Sequence, residues 1–288
     1  MNAARTHLGS LALASCLGLV AAAACRPAAH GEPPAASVAP RSELTGILSE
    51  EAFKQLHELR TDQAPPLAGQ MVEVGSSRAY LSLPAGASAP VPGVVVVHEW
   101  WGLNDHVKHW ADRLAEAGYA ALAVDLYGGK VAANRDEAMA SMKAVAADAA
   151  EQVLLEAHRF LATDARVKAP KRAVIGWCFG GKWSLGLGLV APDLDAVVLY
   201  YGHVPTDPAA LAPLTAPVLA VFGSRDESIP PSVVDAFDKA LSDAGKKHTI
   251  LRYDAPHAFA NPSNPSYDAK SAEDAFAHVQ RFLAETLR

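Results

Sequence analysis

Cysteine is scarce in this chain: 288 residues carry three. Two of them, Cys16 and Cys25, sit near the start, so Cys178 stands alone in the body of the sequence. That distribution excludes a disulfide framework and a multi-cysteine metal site. Positive charge is also short. Twenty-five Lys and Arg against 31 Asp and Glu give a formal charge of −6, with no basic block, so neither nucleic acid nor an anionic membrane surface has an electrostatic footprint here. Long apolar runs are missing beyond the first 25 residues. What remains is ample: half of the residues are hydrophobic, enough for one large core.

The start of the chain reads as an export signal over residues 1–25. Arg5 precedes an apolar run from Leu8 to Ala24 that ends in small residues. Ala22-Ala23-Ala24-Cys25 resembles a bacterial lipoprotein processing box, with Ala22 where Leu is favoured; the expectation is a lipid on Cys25 and a periplasmic, membrane-tethered protein, with simple cleavage after Ala24 as the alternative. Leu13-Ala14-Ser15-Cys16 leaves too little apolar run ahead of it. Residues 26–48, rich in Pro and Ala, read as a flexible tether, and 49–66 as a short helical extension with Phe53, Leu56 and Leu59 on one stripe.

From residue 67 onward strands and helices alternate. The pattern predicts strands at Met71–Val74, Arg78–Leu83, Gly93–His98, Ala120–Leu126, Ala196–Tyr201, Val218–Phe222 and Thr249–Tyr253. Helical spacing covers Asp105–Ala117, Asn134–Ala162, a segment from about Pro230, and a last segment with Phe276, Val279, Leu283 and Leu287 inward. Such interleaving predicts an α/β fold, a mostly parallel sheet with helices on both faces, in one domain over 67–288.

Within it, Gly176-Trp177-Cys178-Phe179-Gly180-Gly181-Lys182 follows an apolar run and opens a helix. Gly-x-Cys-x-Gly-Gly is the strand–elbow–helix pattern that lifts a nucleophile off a sheet edge. The same letters spell most of a phosphate-binding loop, but Trp183 stands where Ser or Thr should hold magnesium, and Trp177 and Phe179 would crowd the phosphate. A buried, inert thiol is the bland reading of Cys178. Two later residues decide against it. Strand 218–222 runs into Gly223-Ser224-Arg225-Asp226, and strand 249–253 runs into Asp254-Ala255-Pro256-His257. Both reach the C-terminal edge, where ligands bind in open α/β sheets, in the chain order nucleophile, acid, histidine. His106 and His109, three apart on a helix, are too weak a signal for a metal, and no metal or cofactor is expected.

The sequence resembles the dienelactone hydrolase family. The resemblance rests on His98-Glu99-Trp100-Trp101-Gly102-Leu103-Asn104, Val124-Asp125-Leu126-Tyr127, the Cys178 elbow, Tyr200-Tyr201-Gly202, Gly223-Ser224-Arg225-Asp226 and His257-Ala258-Phe259. It runs from about residue 70 to the C-terminus and implies the α/β-hydrolase fold. It further implies Cys178 as nucleophile, His257 as base and then acid, Asp226 as the group orienting the imidazole, and Glu99 as a carboxylate near the thiol. The N–H groups of Trp100 and Phe179 are implied as the oxyanion hole. The implied reaction is cleavage of a carboxylic ester or lactone through a thioester. Two arginines that grip a substrate carboxylate in the family are replaced by Asn261 and Gly129, which argues against the family's usual substrate. Trp101, Tyr127, Tyr201, His203 and Asn261 are the expected substrate-binding residues. A non-catalytic, lipid-anchored scaffold and a thiol redox sensor are the rival readings, and neither accounts for the placement of Asp226 and His257. The oligomeric state is not legible.

Overall fold

The computed structural model describes residues 66–288. The expected leader, tether and helical extension, with Cys16 and Cys25, lie outside the described residues, apart from Pro66.

Eight strands form one sheet in the order β1-β2-β4-β3-β5-β6-β7-β8. They are β1 (Gln70–Val74), β2 (Ser77–Ser82), β3 (Gly93–Val97), β4 (Ala120–Val124), β5 (Arg172–Trp177), β6 (Ala196–Tyr200), β7 (Val218–Gly223) and β8 (His248–Tyr253). The hairpin β1–β2 and the pair β2–β4 are antiparallel, and all other pairings are parallel. Every residue of β3, β4, β6 and β7 is buried. Those unbroken apolar runs are what a parallel sheet covered on both faces requires. The edge strand β8 alternates between half-buried and exposed positions instead.

Seven helices occur among the described residues, six between strands and the last after β8: α1 (Asp105–Glu116), α2 (Arg135–Ala144), α3 (Ala147–Thr163), α4 (Phe179–Val190), α5 (Pro208–Leu211), α6 (Pro231–Asp243) and α7 (Ala269–Leu287). Helix α1 meets α7 through Trp110 and Phe276, their rings 5.2 Å apart, while α3 packs beside α4. Asn104 caps α1 by accepting from Val107 N–H, satisfying one of the donors a helix start leaves open.

Three expectations change in detail. The strand expected to reach Leu126 stops at Val124, because the Asp125 carboxylate collects the N–H groups of Tyr127 and Gly129 and turns the chain. The helical stretch over 134–162 is two helices, broken where Val145 and Ala146 take extended backbone angles. The one-turn helix α5, capped by Asp207, has no counterpart in the sequence reading.

Candidate active site

Strand β5 delivers the chain into the elbow, and Cys178 turns it with φ 54° and ψ −115°. A side chain other than glycine rarely adopts such angles, and they persist only where the surroundings enforce them. Here the Cys178 N–H donates to Tyr200 O at 3.0 Å, and its carbonyl accepts from Lys182 N–H at 3.3 Å. The glycines allow the helix to close on the sheet. A Cβ on Gly180 would lie 2.2 Å from Val97 O, and one on Gly176 would lie 2.3 Å from Gly180 O. The sulfur therefore stands at the N-terminus of α4, where the helix favours negative charge, and the Phe179 N–H hydrogen-bonds to it.

Asp226 follows β7 and His257 follows β8, so both arrive at the same sheet edge as the elbow. His257 Nδ1 lies 2.6 Å from Asp226 Oδ2, with both side chains at most 2 % exposed. The other Asp226 oxygen accepts from the N–H groups of Ser228 (2.8 Å) and Ile229 (3.0 Å). Burial alone would push Asp226 up, but the His257 charge and these hydrogen bonds leave it below the usual carboxylate range. Burial pulls His257 down, yet the charges of Asp226 and Cys178 and their hydrogen bonds hold it well above an ordinary imidazole. Its ring also hydrogen-bonds to the Cys178 side chain. Burial raises the Cys178 thiol and Glu99 raises it further, while His257 and the Phe179 N–H work the other way. The thiol is thus held above its ordinary range, beside an imidazole that is held above its own.

Glu99 follows β3, the strand paired with β5, so the loop carrying Glu99 and Trp100 runs beside the elbow. Its carboxylate accepts from Asn261 Nδ2 and from Tyr201 Oη. Burial pushes it up to about 7, against the His257 charge and those two hydrogen bonds. The charged form of this buried carboxylate is favoured by the His257 charge first, then by the amide of Asn261 and the phenol of Tyr201.

The cleft over the sulfur has a volume of about 20 Å³. Of the residues expected to meet substrate, Tyr201 and His203 line it, alongside Phe179 and His257. Tyr127 does not, but packs 5.5 Å from Phe179 and 4.6 Å from His98. Two further expectations need correcting. Trp101 is not in the lining, because it packs edge-on against Trp100, ring centres 5.0 Å apart, and is 3 % exposed. Asn261 is turned toward Glu99 rather than the cleft. Met142, Lys182, Ser228 and Ile229 line the cleft and were not anticipated. Lys182 belonged to the elbow motif in plain view, whereas Met142 and Ile229 carried no signal.

The helix-surface pair His106 and His109 serves packing. His106 lies edge-on to Trp110, and burial, with the His109 charge, lowers it to about 4. Asp112, the neighbouring carboxylate, is taken up by the hydroxyls of Tyr80 and Ser82. No group of three or more His, Cys, Asp or Glu able to hold a metal occurs among the described residues.

Comparison with known proteins converges on one family. Residues 77–287 match the sequence model of the dienelactone hydrolase family. A candidate carboxymethylenebutenolidase of Methylorubrum extorquens is 31 % identical over 245 residues, 79 % of this chain and 84 % of that protein. Its counterpart in Escherichia coli K12 is 32 % identical over 221 residues, 72 % of this chain and 82 % of its own length. Among solved structures, a candidate dienelactone hydrolase from Klebsiella pneumoniae superposes with TM-score 0.66 at 29 % identity, covering 76 % of this chain and 98 % of that one. A dienelactone hydrolase-like promiscuous phosphotriesterase from metagenomic libraries gives 0.67 at 27 %, with the same coverage.

Proposed function

From the premise that this chain belongs to the dienelactone hydrolase family, we propose that it hydrolyses carboxylic esters or lactones through a cysteine acyl-enzyme. The observation that carries this reading is a single line of contacts. Asp226 Oδ2 meets His257 Nδ1 at 2.6 Å, and the same ring meets the elbow sulfur.

The steps follow from those contacts. His257 takes the thiol proton as Cys178 Sγ attacks the carbonyl carbon, since a thiol of ordinary pKa ~8.5 is mostly neutral at pH 7. Charge then develops on the carbonyl oxygen. The N–H of Phe179, at the start of α4, and the N–H of Trp100 are the donors proposed to hold it. Collapse of the tetrahedral species breaks the C–O bond, and His257 returns its proton to the leaving alkoxide, so that a thioester remains. Water, deprotonated by His257, attacks that thioester. The sulfur leaves as thiolate and recovers the proton from the imidazolium, and the carboxylic acid departs. Asp226 keeps Nδ1 protonated throughout, so that Nε2 faces the sulfur, and stabilises the imidazolium. Thiolate leaves more readily than an alkoxide, so strained lactones and activated esters should react ahead of amides. Glu99 sets when the thiol ionises. Loss of the two family arginines at Asn261 and Gly129 favours substrates without a free carboxylate.

The N-terminal sequence supports export with a lipid on Cys25. No helix among the described residues is long and apolar enough to cross a membrane. Mass spectrometry of the mature N-terminus tests this part: a diacylated Cys25 is expected, and a free Cys25 or an intact leader would overturn it. The activity is tested with p-nitrophenyl acetate. Wild type should hydrolyse it and Cys178→Ala should not. Absence of turnover on esters and lactones by folded wild-type protein would favour a scaffold, and reversible peroxide oxidation of Cys178 without hydrolysis a redox sensor.

A further inference from the structure

The cleft over Cys178 has a volume of about 20 Å³, room for roughly one water. A larger groove of about 270 Å³ is bordered by the same helix, α2, although the two share no lining residue. Met142 of α2 borders the small cleft, while Ser141, one residue earlier, borders the groove. Tyr127 lines the groove and packs against Phe179, the residue after the nucleophile.

The groove is a product of sequence. The chain breaks from helix at Val145 and Ala146, and Ala144, Ala146, Ala149 and Ala150 line the opening. Methyl groups stand where larger side chains would fill the space. Leu126, Val145 and Val153 add to a lining that is mostly hydrocarbon, with Lys130 and Ser141 as polar members beside Tyr127. At its inner end the Tyr127 hydroxyl is buried with no hydrogen-bond partner among the described residues, a state that costs free energy unless a ligand oxygen accepts from it.

We infer that this groove holds the apolar acyl chain of a medium-chain ester, with Tyr127 as its inner wall beside the reacting sulfur. The inference rests on the hydrolase reading and names the substrate class. The acyl side is assigned by the proton path. His257 has to stand on the leaving-group side to return its proton, and Tyr127 approaches the sulfur from the Phe179 side, in ring contact with Phe179 and His98. The chain then lies over the Tyr127 ring, and the ester group at its head, beside the sulfur, is the acceptor for the phenol.

The experiment compares p-nitrophenyl acetate with p-nitrophenyl hexanoate. Burying methylenes in the groove should raise kcat/KM roughly twofold to fourfold for each one, so wild type should prefer hexanoate by tenfold or more. Ala149→Trp, at an exposed helical position facing the groove, should collapse that ratio toward one. Ala144→Leu, on α2, should move it the same way and guards against a misfolded first variant. A wild-type ratio near one, or a ratio that neither variant changes, would overturn the inference and leave ester hydrolysis standing. If no ester is turned over, the hydrolase reading falls, and thermal melts with 1-hexanol decide the groove. A rise in Tm for wild type that is lost in Ala149→Trp supports an alkyl site; no rise overturns it.

Discussion

Replacing Glu99 by glutamine is the sharpest probe of how this site governs its own sulfur. Glutamine has the shape of glutamate and can keep partners at Asn261 and Tyr201, so the change removes charge with little else. Glu99 is pushed to about 7 by burial and therefore carries its charge mainly above neutrality. Once charged, it raises the Cys178 thiol. Removing that charge should therefore raise the thiolate fraction at pH 8. Each thiolate is less nucleophilic, because reactivity falls with basicity with a slope of about 0.4–0.5, so about half of the gain, on a logarithmic scale, should survive as faster alkylation. Below pH 6 the wild-type carboxyl is already neutral, and the two proteins should alkylate alike. The assay is the second-order rate of iodoacetamide addition to the peptide containing Cys178, read by mass spectrometry from pH 5.5 to 9. A variant-to-wild-type ratio that does not rise through pH 7 refutes the electrostatic argument. A variant slower than wild type at pH 8 refutes it differently, by showing that the carboxylate accepts the thiol proton.

Three further outcomes follow from the same contacts. Because the folded protein holds Glu99 near 7, above a free carboxylate near 4.3, it binds the proton more tightly than the unfolded chain does. Stability is lost as pH rises from about 4 through 7, so Glu99→Gln should melt several degrees above wild type at pH 8 and level with it at pH 4. Equal melting at both pH values counts against the assignment. Asp226→Asn removes the charge that holds His257 in place at 2.6 Å and should cut ester turnover by roughly 10³–10⁴, with the pH profile of Cys178 alkylation shifted to higher pH. Retention of a tenth of the activity would exclude Asp226 as the orienting group. Gly180→Ala would put a methyl 2.2 Å from Val97 O, a backbone atom that cannot step aside. A loss of at least 2 kcal/mol is expected, measured by urea unfolding, and a change below 0.5 kcal/mol would contradict the packing of α4 against β3.

The sheet was legible because its strands are apolar runs bounded by turn residues, and the elbow because few sequences place glycines and a cysteine in that spacing. The edges were harder. Leu126 is apolar and extends the pattern of β4, yet the carboxylate of Asp125 captures the amides beyond it. The break after Ala144 is invisible because Val145 and Ala146 contain no helix breaker, and it is this break that opens the groove. Trp101 looked like a substrate contact, since aromatic residues follow a strand end there, but nothing in the sequence says which of two adjacent indoles turns inward. The Glu99 environment was beyond reach for another reason. Its amide partner is Asn261, 162 positions along the chain, and only the folded sheet brings the two together.

That separation governs when the protein becomes chemically competent. The imidazole and the carboxylate that orients it are 31 positions apart, and the acid beside the thiol waits for a partner near the far end of the polymer. Contacts of such long sequence separation form late and slowly. During synthesis the Cys178 thiol therefore stands without His257 beside it, and the contacts that tune it are complete only when the last strand has been laid down.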